Sequence, residues 1–175
     1  ILKDGKHKEG FTGFNPFKID PSLTGKALAT TITAQASNFA TVVQSIYDQS
    51  GVSDPYFSSL NETVTVSIAE LLMLTYHLVH PGQVPKASDV QNLINDCSRC
   101  RPYLDALIKY YSVHSLRSNG NDRTEQVAEV VDVGQWQQVY TTINNDLLGE
   151  NKANMYDRCN GLRNLINNFL NDPLV

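Results

Sequence analysis

Charge is scarce in this chain. Asp, Glu, Lys and Arg make up 18% of the residues, against ~25% in an average soluble domain. The net charge is −4, which argues against holding nucleic acid by bulk positive charge but leaves room for a local basic strip. Cysteine is scarce too: three residues are too few and too odd a number for a disulfide scaffold, and free buried thiols are the simpler reading. No apolar run approaches the ~18 residues of a membrane span, so no membrane partner is expected. No secretory leader or lipidation motif is visible, and Ile1 is compatible with a processed terminus.

Catalytic motifs are missing as well. There is no G-x-S-x-G elbow, no Gly-rich phosphate loop and no H-E-x-x-H. His7 in the N-terminal arm and His114 near a helix end read as surface residues. Glu125 and Glu129, one helical turn apart, read as solvated carboxylates. The expectation is therefore a non-enzymatic protein with no cofactor and no small-molecule substrate. An enzyme whose site is assembled from residues that motifs do not show is one alternative.

What is present is a hydrophobic fraction of 41% in 175 residues, enough for one core. Asn, Gln, Ser and Thr fill the place of charge and make a neutral, hydrogen-bonding surface. Such a surface suits secreted proteins and dense assemblies, whose subunits must pack without strong repulsion.

Residues 1–19 read as an extended arm: three glycines and Pro16 prevent a regular helix, and the lysines keep its start in solvent. Phe11, Phe14 and Phe17 in that arm need an apolar surface, on this domain or on a neighbouring copy, and mark it as a subunit-contact candidate. Residues 20–175 then form a single domain. Asp20-Pro21 has the form of a helix start, followed by Leu28, Ile32, Phe39, Val43 and Ile46 at near-helical spacing. Asp54-Pro55 is a second start. The apolar stretch after Asn61 runs to His80 and stops at Pro81-Gly82; it is helical over 68–79, with 63–67 open between helix and strand. Ser88 and Gln91 form a capping box for a helix with Val90, Leu93, Ile94 and Cys97 inward, interrupted at Pro102. Leu104, Leu107, Ile108 and Tyr111 carry the next helix, and further helices are expected near 123–132, 135–148 and 152–171. The class is all-α: a bundle of five to seven helices, a four-helix core with additions.

Two chemistries compete at "NDCSRCRPYL", residues 95–104. His77 and His80 with Cys97 and Cys100 have the ligand types of a tetrahedral zinc site. In a helical hairpin, however, Cys97 lies about 13 Å from the turn that holds the histidines. A redox Cys-x-x-Cys needs an exposed helix N-terminus, and this pair falls at a helix's far end. Ordinary packing thiols are expected, and no metal. Arg99 and Arg101, two residues apart where a helix gives out, can both project toward one phosphate, for which the guanidinium fork is matched. The plainer possibility is a pair of surface arginines bonding the last carbonyls of the helix.

Short motifs follow one another in a set order, from the aromatic arm "FTGFNPF" through Asp20-Pro21 to Thr41-Val42-Val43-Gln44 with Tyr47 after it. Asp89, Leu93-Ile94 and Arg99-Cys100-Arg101 follow, then Val131-Asp132, Ile143-Asn144-Asn145 and Tyr156-Asp157-Arg158. That order resembles the coat proteins of rigid rod-shaped plant RNA viruses of the tobamovirus type. Departures include Ala40, where the family has arginine, and an apolar element over 64–79 in place of a small twisted sheet. The resemblance implies a four-helix bundle stacked side by side into a rod, holding single-stranded RNA by phosphate contacts. Arg99 and Arg101 are then the phosphate ligands, and Asp48 and Asp89 are candidates for carboxylates that face each other between subunits and tune assembly to pH. The expected function is a self-assembling viral coat or nucleocapsid subunit with itself and single-stranded RNA as partners. The main alternative is a secreted or surface helical module that binds another protein, favoured by the single glycosylation sequon Asn61-Glu62-Thr63.

Overall fold

The computed structural model describes residues 15–49, 55–118, 133–149 and 152–170, and among them there is helix, turn and loop but no strand. The chain is an all-α bundle. Its helices are α1 (Gly25–Gln49), α2 (Pro55–Val79), α3 (Ala87–Asn95), α4 (Arg101–Ser118), α5 (Val133–Thr141), α6 (Lys152–Arg158) and α7 (Asn160–Leu170). A 3-10 turn, Cys97–Cys100, joins α3 to α4, and a π-helical stretch, Thr142–Leu147, extends α5. The expected helix near 123–132, Phe11, Phe14, His7, Glu125 and Glu129 lie outside the described residues, as do the side chains of Asp48 and His114.

The centre of the bundle is α2, which packs against α1, α3, α4, α5 and the π-helical stretch. Its sequence explains the role. Val64, Ile68, Leu71, Leu72 and Leu74 are buried around much of its circumference, the pattern of a core helix rather than a surface one. Over Ser59–Val79 its mean hydropathy is 1.2, so by length and composition it could cross a membrane; 67% of that window is buried inside this protein. The expectation that no run reaches that length is corrected here, because small polar residues interleave with the apolar ones. The open stretch 63–67 is helix despite its alternation of Val and Thr. Thr65 and Thr75 donate to the carbonyls of Asn61 (2.7 Å) and Leu71 (2.6 Å), so their buried hydroxyls are satisfied within the helix. Asn61 itself is 3% exposed, so the folded sequon has no room for a glycan, and the feature that favoured a secreted module is lost.

Asp20-Pro21 does not start α1. The Asp20 carboxylate accepts from the backbone N–H (2.9 Å) and hydroxyl (2.8 Å) of Ser22, and these bonds hold its carboxyl below the ordinary range. This local turn competes with helix, and α1 begins only at Gly25, whose φ of +55° suits glycine. The segment before it is not a free arm. Phe17 is 1% exposed and meets Phe39 edge-on at 4.9 Å. Asn15 accepts from the Phe17 N–H (3.0 Å) and donates to the Pro85 carbonyl (2.9 Å). Phe17 therefore docks on its own domain, which corrects its assignment to a subunit contact and makes residues 15–19 part of the folded body.

The cap of α3 also differs from expectation. Its N-cap is Lys86, and the Asp89 carboxylate accepts the Lys86 N–H at 2.8 Å. Ser88 and Gln91 form no box, because Gln91 instead donates to Asn167 (2.9 Å), joined there by Asn95 (2.8 Å) in an amide cluster that ties α7 to α3. The expected helix over 152–171 is divided at Cys159 into α6 and α7.

Candidate nucleic-acid interface

The turn between α3 and α4 is built by Asp96. Its extended backbone (φ −141°, ψ 90°) ends α3, and its carboxylate accepts from the Ser98 N–H (3.1 Å) and hydroxyl (2.5 Å), starting the 3-10 turn. The Ser98 hydroxyl bond, helped by the Ser98 N–H and by Arg99, holds the Asp96 carboxyl below its usual value although partial desolvation opposes it. Pro102 follows as the second residue of α4, where the first-turn N–H groups lack partners in any case. It opens a helix rather than kinking one.

Arg99 and Arg101 both point to solvent, but they are not equivalent. Arg99 Nε lies 3.3 Å from Asp96, with the two side chains 62% and 52% exposed. It thus bonds a carboxylate and not the carbonyls at the end of α3. Among the described residues, Arg101 has no ion-pair partner. It lines a cleft of about 450 Å³ with Asp96, Cys97, Ser98, Leu147, Leu148, Tyr156 and Asp157. The cleft thus joins the α3–α4 turn to the π-helical stretch and α6, two neighbouring segments far from that turn in sequence.

Tyr156 lines the cleft from α6, and Arg163 on α7 stacks on its ring. Arg163, 8% exposed, sets its guanidinium carbon 3.4 Å from the centroid of the Tyr156 ring. It also donates to the Tyr156 carbonyl (2.6 Å) and to Asn160 (3.2 Å). Tyr156-Asp157-Arg158 stands out in the sequence, whereas Arg163 does not. A usable signal was there: seven residues is two helical turns, which stacks Tyr156 and Arg163 on one face across the break at Cys159.

The sulfur chemistry resolves toward packing. Cys97, Cys100 and Cys159 are free, and Cys100 and Cys159 are buried. Cys97–Cys100 directly precedes the N-terminus of α4, a placement the sequence does not show, yet burial outweighs the helix dipole. Burial pushes the Cys100 thiol far up and Cys159 to about 11, and it raises Cys97, where the nearby Arg163 charge only partly offsets it. Such thiols stay protonated at neutral pH and lack thiolate reactivity. His80 is engaged with the Tyr103 hydroxyl at 3.0 Å, and His77 is exposed. Among the described residues no three His, Cys, Asp or Glu side chains are placed to hold a metal ion.

Asp89, expected to face a carboxylate in another subunit, is half-buried, caps α3 and acts electrostatically on Tyr76. No protein-family model, curated protein or solved structure matches this chain.

Proposed function

We propose that this protein is a non-enzymatic, self-assembling structural subunit, of the viral coat or nucleocapsid kind, that holds single-stranded RNA by phosphate contacts. The supporting observation is Arg101, an exposed guanidinium with no ion-pair partner among the described residues, at the mouth of a cleft whose other walls include Leu147, Leu148 and Tyr156. Arg99 stands two residues away, and its side chain is largely exposed. A planar fork of donors suits phosphate, and the low overall charge lets many copies pack side by side.

Two tests follow from the two halves of this reading. Arg99→Ala combined with Arg101→Ala removes two phosphate contacts. The slope of log affinity for single-stranded RNA against log salt flattens by about 1.4, at ~0.7 per contact on a single strand. Superimposable filter-binding curves for parent and variant at every salt concentration refute the assignment. For assembly, carboxylates brought together between packed subunits repel when ionised, Asp48 being the candidate that remains, so acidification strengthens subunit association. Electron microscopy of the purified protein between about pH 5 and 8 is expected to show discs or rods, longer on the acid side. A monodisperse monomer at every pH and concentration sinks the self-assembly reading.

A further inference from the structure

We infer that Tyr156, held from behind by Arg163, is a stacking surface for one base of a single-stranded RNA whose adjoining phosphate is bound by Arg101. This rests on the RNA-binding reading and assigns it a second, apolar half. Tyr156 is 47% exposed, one of few large hydrophobic side chains left in solvent among the described residues. An exposed aromatic is commonly a loose one; this one is not. A single guanidinium is bonded to its backbone carbonyl at 2.6 Å and lies 3.4 Å from its ring centroid. The ring is therefore fixed before any ligand arrives, which lowers the ordering cost of binding.

The surroundings match a nucleotide in size and in polarity. A volume of about 450 Å³ falls within the ~300–1,000 Å³ of small-ligand sites. Leu147 and Leu148 supply an apolar wall for the base and ribose, and Arg101 and Ser98 supply the polar end. Arg163 is a buried charge for which no ion pair exists among the described residues. Its field reaches Cys97, which lines the cleft, and Cys159. Two carboxylates also border the cleft. Asp96 is offset by Arg99, and Asp157 disfavours a second phosphate, so the cleft fits one phosphate and one base. Stacking needs only the face of a base, so binding of this kind tolerates any sequence.

The test uses the whole chain and a short oligoribonucleotide carrying 2-aminopurine, whose fluorescence is quenched on stacking, with adenosine monophosphate as a second probe. The oligonucleotide is expected to be quenched on binding. Tyr156→Phe keeps the quench. Tyr156→Leu loses it and weakens affinity roughly tenfold, with the salt slope unchanged. Arg99→Ala with Arg101→Ala does the reverse, flattening the slope while the quench persists at saturating protein. Tight, salt-dependent RNA binding without any quench in the parent protein overturns the stacking assignment and leaves the phosphate contacts standing. Absence of RNA binding in the parent overturns both. Adenosine monophosphate binding as tightly as the oligonucleotide makes the cleft a free-nucleotide site and overturns its assignment to a strand.

Discussion

Phe17→Ala is expected to lower the free energy of unfolding by about 3–5 kcal/mol, the range for deleting a buried phenyl ring. Phe17 is 1% exposed, as deeply placed as Ile32 on α1, although it belongs to no helix. Its ring meets Phe39 edge-on with centroids 4.9 Å apart, an arrangement worth about 0.5–1.5 kcal/mol beyond the area buried. Asn15 locks the backbone around it by accepting from the Phe17 N–H and donating to Pro85. Ile32 on α1 and Met73 on α2 line the same pocket as Phe17, and how far they relax into the space left by alanine sets the cost within that range. Urea unfolding at several protein concentrations measures it, with Val84→Ala, at a site 45% exposed, expected to change stability by less than about 0.5 kcal/mol. A loss below about 1 kcal/mol, or one that appears only at concentrations where subunits associate, shows that Phe17 is not part of its own domain's core.

Much of this fold is legible in the sequence, because the strongest signals are periodic and local. Ile32, Phe39 and Val43 mark the inner face of α1, and the structure buries all three. The same holds for Val90, Leu93 and Ile94 on α3 and for Leu162 and Ile166 on α7. Periodicity fails where burial is all round. Between Val64 and Ser67 the alternation of β-branched residues mimics a strand. What decides for helix is the packing of α2 among its neighbours, together with threonine hydroxyls that bond back along the chain. Caps are less legible than helices. Asp20 and Asp89 both carry the right side chain, but Asp20 spends it on Ser22 and Asp89 reaches back to Lys86. Which N–H a carboxylate takes depends on backbone angles that no residue pattern encodes.

The candidate interface divides the same way. Arg99 and Arg101 are visible as a local pair before Pro102. The difference between them is not, because it depends on Asp96 turning its carboxylate toward Arg99. The contribution of Tyr156 is non-local: it lines one cleft with Arg101 because α7 packs on α3, and Arg163 pins its ring. Spacing arguments within one stretch cannot see an alignment set by helices 60 residues apart, roughly the separation of Asp96 and Tyr156.

The second large effect concerns alkaline pH. Stability is expected to fall above about pH 9, with a slope that approaches roughly 3 kcal/mol per pH unit as both unfolded thiols, Cys100 and Cys159, ionise fully. The ordinary thiol value is 9.0; burial moves Cys159 to about 11 and Cys100 further in the same direction. Above the ordinary value the unfolded chain has released both protons while the folded chain still holds them. The unfolded state then binds fewer protons, so raising the pH favours unfolding. The loss begins as pH passes the unfolded value and, for Cys159, ends near its folded value of about 11. Cys97, Tyr76 and Tyr103 are raised by burial as well and act in the same sense. The lowered Asp20 and Asp96 belong to the acid limb, where stability falls as pH drops through their folded values, and both are exposed enough for solvent to screen the effect. Urea unfolding at a series of pH values between about 7 and 10.5 tests this. A variant with Cys100→Ala and Cys159→Ala loses some stability at neutral pH through the small cavities it creates, but its curve stays flatter above pH 9. Parallel curves for parent and variant across that range would mean that the two thiols ionise as freely in the folded protein as in the unfolded chain, and the packing role assigned to the cysteines would fall.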